Sequence, residues 1–189
     1  STRKESSAAS DVYKRQVVRE GRASHPDGTS CHPDHWWDAL LEAVQDAGGC
    51  EDVACLSVGA QQHGMVLMDD QGQIVRDALL WNDTRSGGQV QTLNDELGAP
   101  DAWVERTGVA LSVSLTVTKT RWVRENEPEN AERTAAVCLP HDWLTWRLRG
   151  FGPGRPDFDQ LTTDRSEASG TGYWSALDES YHHDLFELS

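Results

Sequence analysis

The sequence predicts an α/β layered domain, on three observations. Stretches with apolar residues at helical spacing alternate with apolar runs of strand length, and such a mixture packs helices against a sheet. Turn signals separate these stretches, most clearly Asp69-Asp70-Gln71-Gly72 between two strand-length runs. The 189 residues suffice for one domain that buries roughly 70 % of its unfolded surface.

The elements follow in order. Val17 to Arg19 reads as the stub of a strand. Asp34 to Ala47 reads as a helix capped by Asp34, with Trp36, Trp37, Leu40, Leu41 and Val44 on one stripe and Gly48-Gly49 as its stop. Val53 to Val58 is expected as a buried strand. Met65 to Met68 and Ile74 to Trp81 form a hairpin. Ser86 to Leu97 reads as a helix, as does the second half of Leu115 to Glu125. Ala135 to Leu139 is a short strand, and Pro140 opens a helix over His141 to Arg149. Gly150 to Asp159 is a Gly/Pro-rich loop, and Leu161 to Asp164 is expected as a last short strand.

Composition excludes some functions. A formal net charge of −14 disfavours nonspecific binding to nucleic acid. No apolar run approaches the roughly 20 residues of a membrane span, and no signal peptide is read at the start. Residues 1–22 carry six Lys/Arg against three acids, whereas the remainder carries 11 basic and 28 acidic residues. Residues 1–16, Ser-rich and without periodicity, are therefore expected to be a non-native or disordered leader, with the domain over 17–189. Cys31, Cys50, Cys55 and Cys138 form no C-x-x-C pair. Cys55 and Cys138 lie in apolar runs and read as buried thiols, which points to the cytoplasm. Cys31, His32 and His35, with His182-His183 far along the chain, lack the paired spacing of a zinc site, so no metal site is expected.

Two motifs carry candidate chemistry. Gly59-Ala60-Gln61-Gln62-His63-Gly64 joins two strand-length runs and sets amides and an imidazole between glycines. These groups both donate and accept hydrogen bonds, which suits a neutral polyol; alone, the plainer reading is a polar loop. Trp81-Asn82-Asp83-Thr84-Arg85 offers a flat apolar ring for the C–H side of a sugar. Asp83 and Arg85 can pair across the turn or meet a ligand, and the plainer reading is a strand end followed by a helix cap.

Read together, the run from Ser57 to Ser86 resembles the xylulokinase branch of the FGGY carbohydrate kinases, with its Q-x-H-G element, D-x-x-G-like hairpin turn and A-L-L-W-N-D-x-R. Ser114, Thr116, Lys119, Trp122, Val123, Glu125 and Asn126 resemble the first FGGY signature, from which Thr120 departs. Leu139-Pro140-His141-Asp142-Trp143-Leu144 and the stretch from Thr163-Asp164 to Thr171 resemble two further family segments. The resemblance covers about residues 17–189.

The resemblance implies the N-terminal domain of the actin-like, ribonuclease H-like ATPase fold, incomplete in lacking the first strands and the second domain. It implies transfer of the ATP γ-phosphoryl group, with Mg2+, to D-xylulose in D-xylose catabolism, and a possible homodimer for the parent enzyme. Gln62 and His63 would contact the sugar, and Trp81 would line the pocket. Asp83 and Arg85 match W-x-D-x-R and are weaker candidates for contact. Lys119, Trp122, Asp142, Asp164 and Ser169 are expected to serve the fold.

Parts of the family pattern are not met. Asp27-Gly28-Thr29-Ser30 does not follow an apolar strand, so it is not read as a phosphate loop. Thr29-Ser30-Cys31 replaces a sugar-proximal Trp-Glu-Gln element. The catalytic base, an aspartate in the family, is expected beyond Ser189. The chain is thus expected to be a fragment, inactive as a kinase alone and with an unpaired sheet edge. The alternatives are a catalytically dead sugar-binding or regulatory module, or a kinase for another sugar or polyol.

Overall fold

A computed structural model describes residues 3–11 and 16–189, the first segment by its backbone alone. Strands β1 (Arg3–Asp11) and β2 (Gln16–His25) pair antiparallel, with Arg3 opposite His25 and an irregularity between Ala9 and Ser10. Strand β1 lies within residues 1–16, the stretch read from the sequence as a non-native or disordered leader. A ladder consumes backbone groups and asks no hydrophobicity of the strand. The rest of that expectation, on residues 1, 2 and 12–15, lies outside the described residues.

A four-stranded arrangement forms the centre. Strand β3 (Ser30–Cys31) pairs antiparallel with β5 (Ala78–Leu79), and β4 (Val66–Met68) pairs antiparallel with β6 (Ala136–Cys138). A bridge between Met65 and Leu79 joins the two pairs. Strand alternation sends Val66, Met68, Ala78 and Leu80 into one core, with Trp36 of α1 (Pro33–Asp46) and Trp143 and Trp146 of α6 (Pro140–Leu148). Met65, Leu67, Val75 and Leu79 enter another, with Val123 of α4 (Thr116–Asn126). With helices on both faces, β4 is buried at every residue.

A third cluster joins Leu93 of α2 (Gly87–Leu97), Trp103 of α3 (Pro100–Thr107) and Leu185 of α8 (His183–Leu188). Short helices α5 (Pro128–Arg133) and α7 (Arg165–Ser169), a 3-10 turn at Phe158–Gln160, and the pair β7 (Trp174–Ser175) and β8 (Ser180–Tyr181) complete the described elements. Among the described residues no helix is long and apolar enough to cross a membrane.

Several expectations need correction. The cap of α1 is His32, whose Nδ1 accepts from the Asp34 N–H at 3.3 Å. Its buried face runs through Trp36, Ala39 and Ala43, and Leu41 is exposed. The small alanines let β2 approach, and Gly21 of β2 is so close that a Cβ there would lie 2.0 Å from the Ala43 carbonyl. Val53 to Val58 is not a buried strand: no ladder pairs it among the described residues, and Leu56 is 60 % exposed. Cys55 is accordingly exposed, while Cys138 is buried. Leu161 to Asp164 is not a strand either; Asp164 caps α7 by accepting from the Glu167 N–H at 2.9 Å.

Candidate functional site

The Gly59–Gly64 segment turns at Gln62-His63 before the chain enters the sheet at Met65. His63 has φ +66, a left-handed conformation unusual for a residue other than glycine. The turn is held from several sides. Gln62 Nε2 donates to the Ser166 carbonyl on α7. His63 Nδ1 lies 3.1 Å from the Gly170 carbonyl just after α7. Lys119 Nζ of α4 donates to the His63 carbonyl at 2.7 Å and to the Ser114 carbonyl at 2.6 Å. Glycine is required next door: a Cβ on Gly64 would meet Pro140 Cγ at 2.6 Å, and one on Gly170 would meet His63 Nδ1 at 2.6 Å.

A carbonyl can only accept, so Nδ1 of His63 carries the proton and Nε2 keeps a lone pair. Burial pushes the His63 imidazole below its ordinary value against the pull of the Gly170 carbonyl, with Lys119 lowering it further, so the ring is neutral at pH 7. With Gln62 Nε2 engaged, its Oε1 is the free end of the amide, and Gln61 Oε1 is buried without a partner. Gln62 Oε1 and His63 Nε2 are therefore the acceptors that the turn can offer, and they suit a ligand rich in O–H groups.

The second motif folds differently. Trp81 is 49 % exposed, and no described hydrogen bond or ring contact joins it to the Gln62–His63 turn. Asp83 is buried and grips Arg85: Nε and Nη2 of Arg85 donate to its two oxygens at 2.9 and 3.0 Å, and the Arg85 N–H adds a third bond. Burial raises the Asp83 carboxyl, but the bonds from Arg85 and from the Thr29 hydroxyl outweigh it and hold the group below its usual range. The Arg85 guanidinium lies 5.1 Å from the Trp122 ring centre, with Arg76 at 5.8 Å from the same ring. Asp83 and Arg85 are thus spent on each other, and Lys119, which feels the Asp83 charge, lies between the two motifs.

Sequence reasoning missed Ser166 and Gly170 as partners of the turn, because each contact spans more than a hundred residues and leaves no local pattern. The Asp27–Ser30 stretch is an edge of the sheet, where the Thr29 carbonyl accepts from Leu80 N–H and Ser30 pairs with Leu79.

Residues 10–189 match the family model described as the FGGY family of carbohydrate kinases, N-terminal domain. The chain belongs to the FGGY family. It is 47 % identical over 180 residues to the xylulose kinase of Streptomyces coelicolor, spanning 93 % of this chain and 36 % of that protein. The xylulose kinase of Actinoplanes sp. is 44 % identical over 133 residues, covering 69 % of this chain and 82 % of the relative. A crystal structure of xylulose kinase from Bifidobacterium adolescentis superposes with a TM-score of 0.85 at 48 % identity, over 90 % of this chain and 38 % of that one. The fold is that of the N-terminal domain of the family's actin-like ATPase architecture. Within that domain, the described residues gather no group of three or more His, Cys, Asp or Glu side chains able to hold a metal ion.

Proposed function

We propose that the chain forms the sugar-binding part of a kinase that transfers the γ-phosphoryl group of ATP, with Mg2+, to D-xylulose, giving D-xylulose 5-phosphate. The observation that carries this reading is the clamped Gln62–His63 turn, with a neutral imidazole whose free Nε2 accepts from a hydroxyl. The names of the relatives support D-xylulose as the sugar. Gln62 and His63 bind hydroxyls, and Trp81, half exposed beside the Asp83–Arg85 pair, supplies an apolar wall. Asp83 and Arg85 act on the sugar by fixing the backbone that carries Trp81. No step of phosphoryl transfer is assigned to a residue of this chain. A cytoplasmic setting is part of the proposal, and the buried thiols of Cys31 and Cys138 support it.

Calorimetric titration with D-xylulose, glycerol, D-gluconate and L-ribulose tests the reading. D-xylulose should bind most tightly, and His63→Ala should weaken it by about 1–3 kcal/mol, some 5- to 150-fold. Equal affinity for all the sugars, or binding indifferent to His63→Ala, would refute the assignment.

A further inference from the structure

Lys119 is completely buried, and its hydrogen bonds run to two main-chain carbonyls, those of His63 and Ser114. No described carboxylate lies within ion-pair distance of it; Asp83 acts on it only through its field and is already bound to Arg85. A buried ammonium held by carbonyls is a costly way to stabilise a fold, since an apolar side chain of similar length would fill the same space. The placement has a local consequence instead. The carbonyl it takes belongs to the one residue of the turn with a positive φ. Drawing that carbonyl toward Nζ turns the His63–Gly64 peptide, and the ring on the same residue then reaches the Gly170 carbonyl through Nδ1.

We propose that Lys119 is a positioning residue for the sugar: by holding the His63 carbonyl it keeps His63 in its left-handed conformation, with Nδ1–H on Gly170 and Nε2 free to accept a hydroxyl. The proposal rests on the sugar-binding reading of the turn. It separates from a merely structural role by pH. Burial draws Lys119 down to about 8 from the ordinary lysine value, with Asp83 pulling the other way. The charged groups around it are Asp83 with its partner Arg85 on the turn after β5, and His63, neutral in this range, on the loop before β4. Between about 8 and the ordinary lysine value the unfolded chain holds a proton that the folded chain has released, so the Lys119 contribution to stability rises with pH. Affinity for the sugar moves oppositely, because a neutral amine holds the His63 carbonyl less firmly than an ammonium.

The experiment uses the 189-residue chain with 15N-labelled histidine, the His63 signals being identified by their loss in His63→Gln. In wild type, His63 should be the Nδ1–H tautomer at pH 7, and its signals should shift with a midpoint near 8. Its D-xylulose affinity should fall about tenfold from pH 7 to 9.5, the loss of one well-made hydrogen bond. Lys119→Met should show mixed His63 tautomers, no step near 8 and weak binding at both pH values. The melting temperature of wild type relative to K119M should rise over the same interval. His63 signals in K119M that superimpose on wild type, or wild-type signals flat from pH 7 to 10, overturn the proposal; the second result decides even if K119M does not fold. Tight D-xylulose binding by K119M overturns it and leaves the sugar reading intact. A His63 step without D-xylulose binding at any pH upholds the clamp and overturns the sugar reading.

Discussion

Gly170→Ala tests the site through one added methyl. Gly170 has φ −77 and ψ −4, a conformation open to any residue, so the backbone tolerates alanine. The space does not. The new Cβ would lie 2.6 Å from His63 Nδ1, 3.0 Å from His63 Cε1 and 3.1 Å from Gln62 Cγ. The imidazole must retreat by about 0.8 Å to regain ordinary contact at 3.4 Å. That shift strains the Nδ1 bond to the Gly170 carbonyl and moves both side chains assigned to the sugar. Overpacking costs about 1–3 kcal/mol, offset by about 0.4–1 kcal/mol from the stiffer unfolded chain. The fold should therefore lose about 1–2 kcal/mol, and the melting temperature should drop by about 2–8 °C. Binding should suffer more, by about 2 kcal/mol for misplaced hydrogen bonds from Gln62 and His63, or about thirtyfold in Kd. Calorimetry with D-xylulose, beside a thermal melt on the same sample, separates the two effects. A folded G170A that binds D-xylulose as tightly as wild type would refute the view that the turn is the sugar contact.

Two other changes probe the electrostatics. Asp83→Asn breaks the buried pair with Arg85 and should cost about 3 kcal/mol in urea unfolding at pH 7, at the low end because Arg85 is partly exposed. Because the folded Asp83 carboxyl lies below its usual range, its stabilisation is present above about pH 3.9 and fades as pH falls through the folded value, so the gap to D83N should narrow at pH 3. Glu167 is buried with Oε2 unpartnered; burial, then the Asp142 carboxylate, pushes it up to about 7. Here the sign reverses, because between the ordinary carboxyl value and about 7 the folded chain holds the extra proton and stability falls as pH rises. Glu167→Gln should leave stability nearly unchanged at pH 4.5 and raise it by about 1–3 kcal/mol at pH 8. A thermal-shift series that finds the same difference at both pH values would contradict this placement of Glu167.

Much of the fold was legible because its signals are local. The hairpin turn was read from Asp69 to Gly72, where Asp69 Oδ1 accepts from the N–H groups of Gln71 and Gln73. The helix after Pro140 was read from its opening proline and apolar run, and Trp143 and Trp146 are buried as that pattern requires. Helices α3 and α5 went unread; α5 is six residues long, has no fully buried residue, and touches the core through Ala131 alone, too little for a periodic pattern. Val53 to Val58 misled for the opposite reason. Its apolar residues suit a strand, but a strand exists only where a neighbour offers a ladder, and composition does not name the neighbour.

Sequence alone determined the family. Gln62, His63 and Trp81 are residue types that meet hydroxyls and sugar faces, and their spacing with Asp83 and Arg85 pointed to the family that residues 10–189 match. Tertiary structure alone decided how the turn works. The Asp83 carboxylate is buried and taken up by Arg85, whose own side chain stays partly exposed. The direction of the His63 proton depends on a carbonyl 107 residues away, and the His63 backbone on a lysine 56 residues away. Hydrogen bonds of that span arise from packing between elements, so periodicity and local spacing carry no trace of them until the chain has folded.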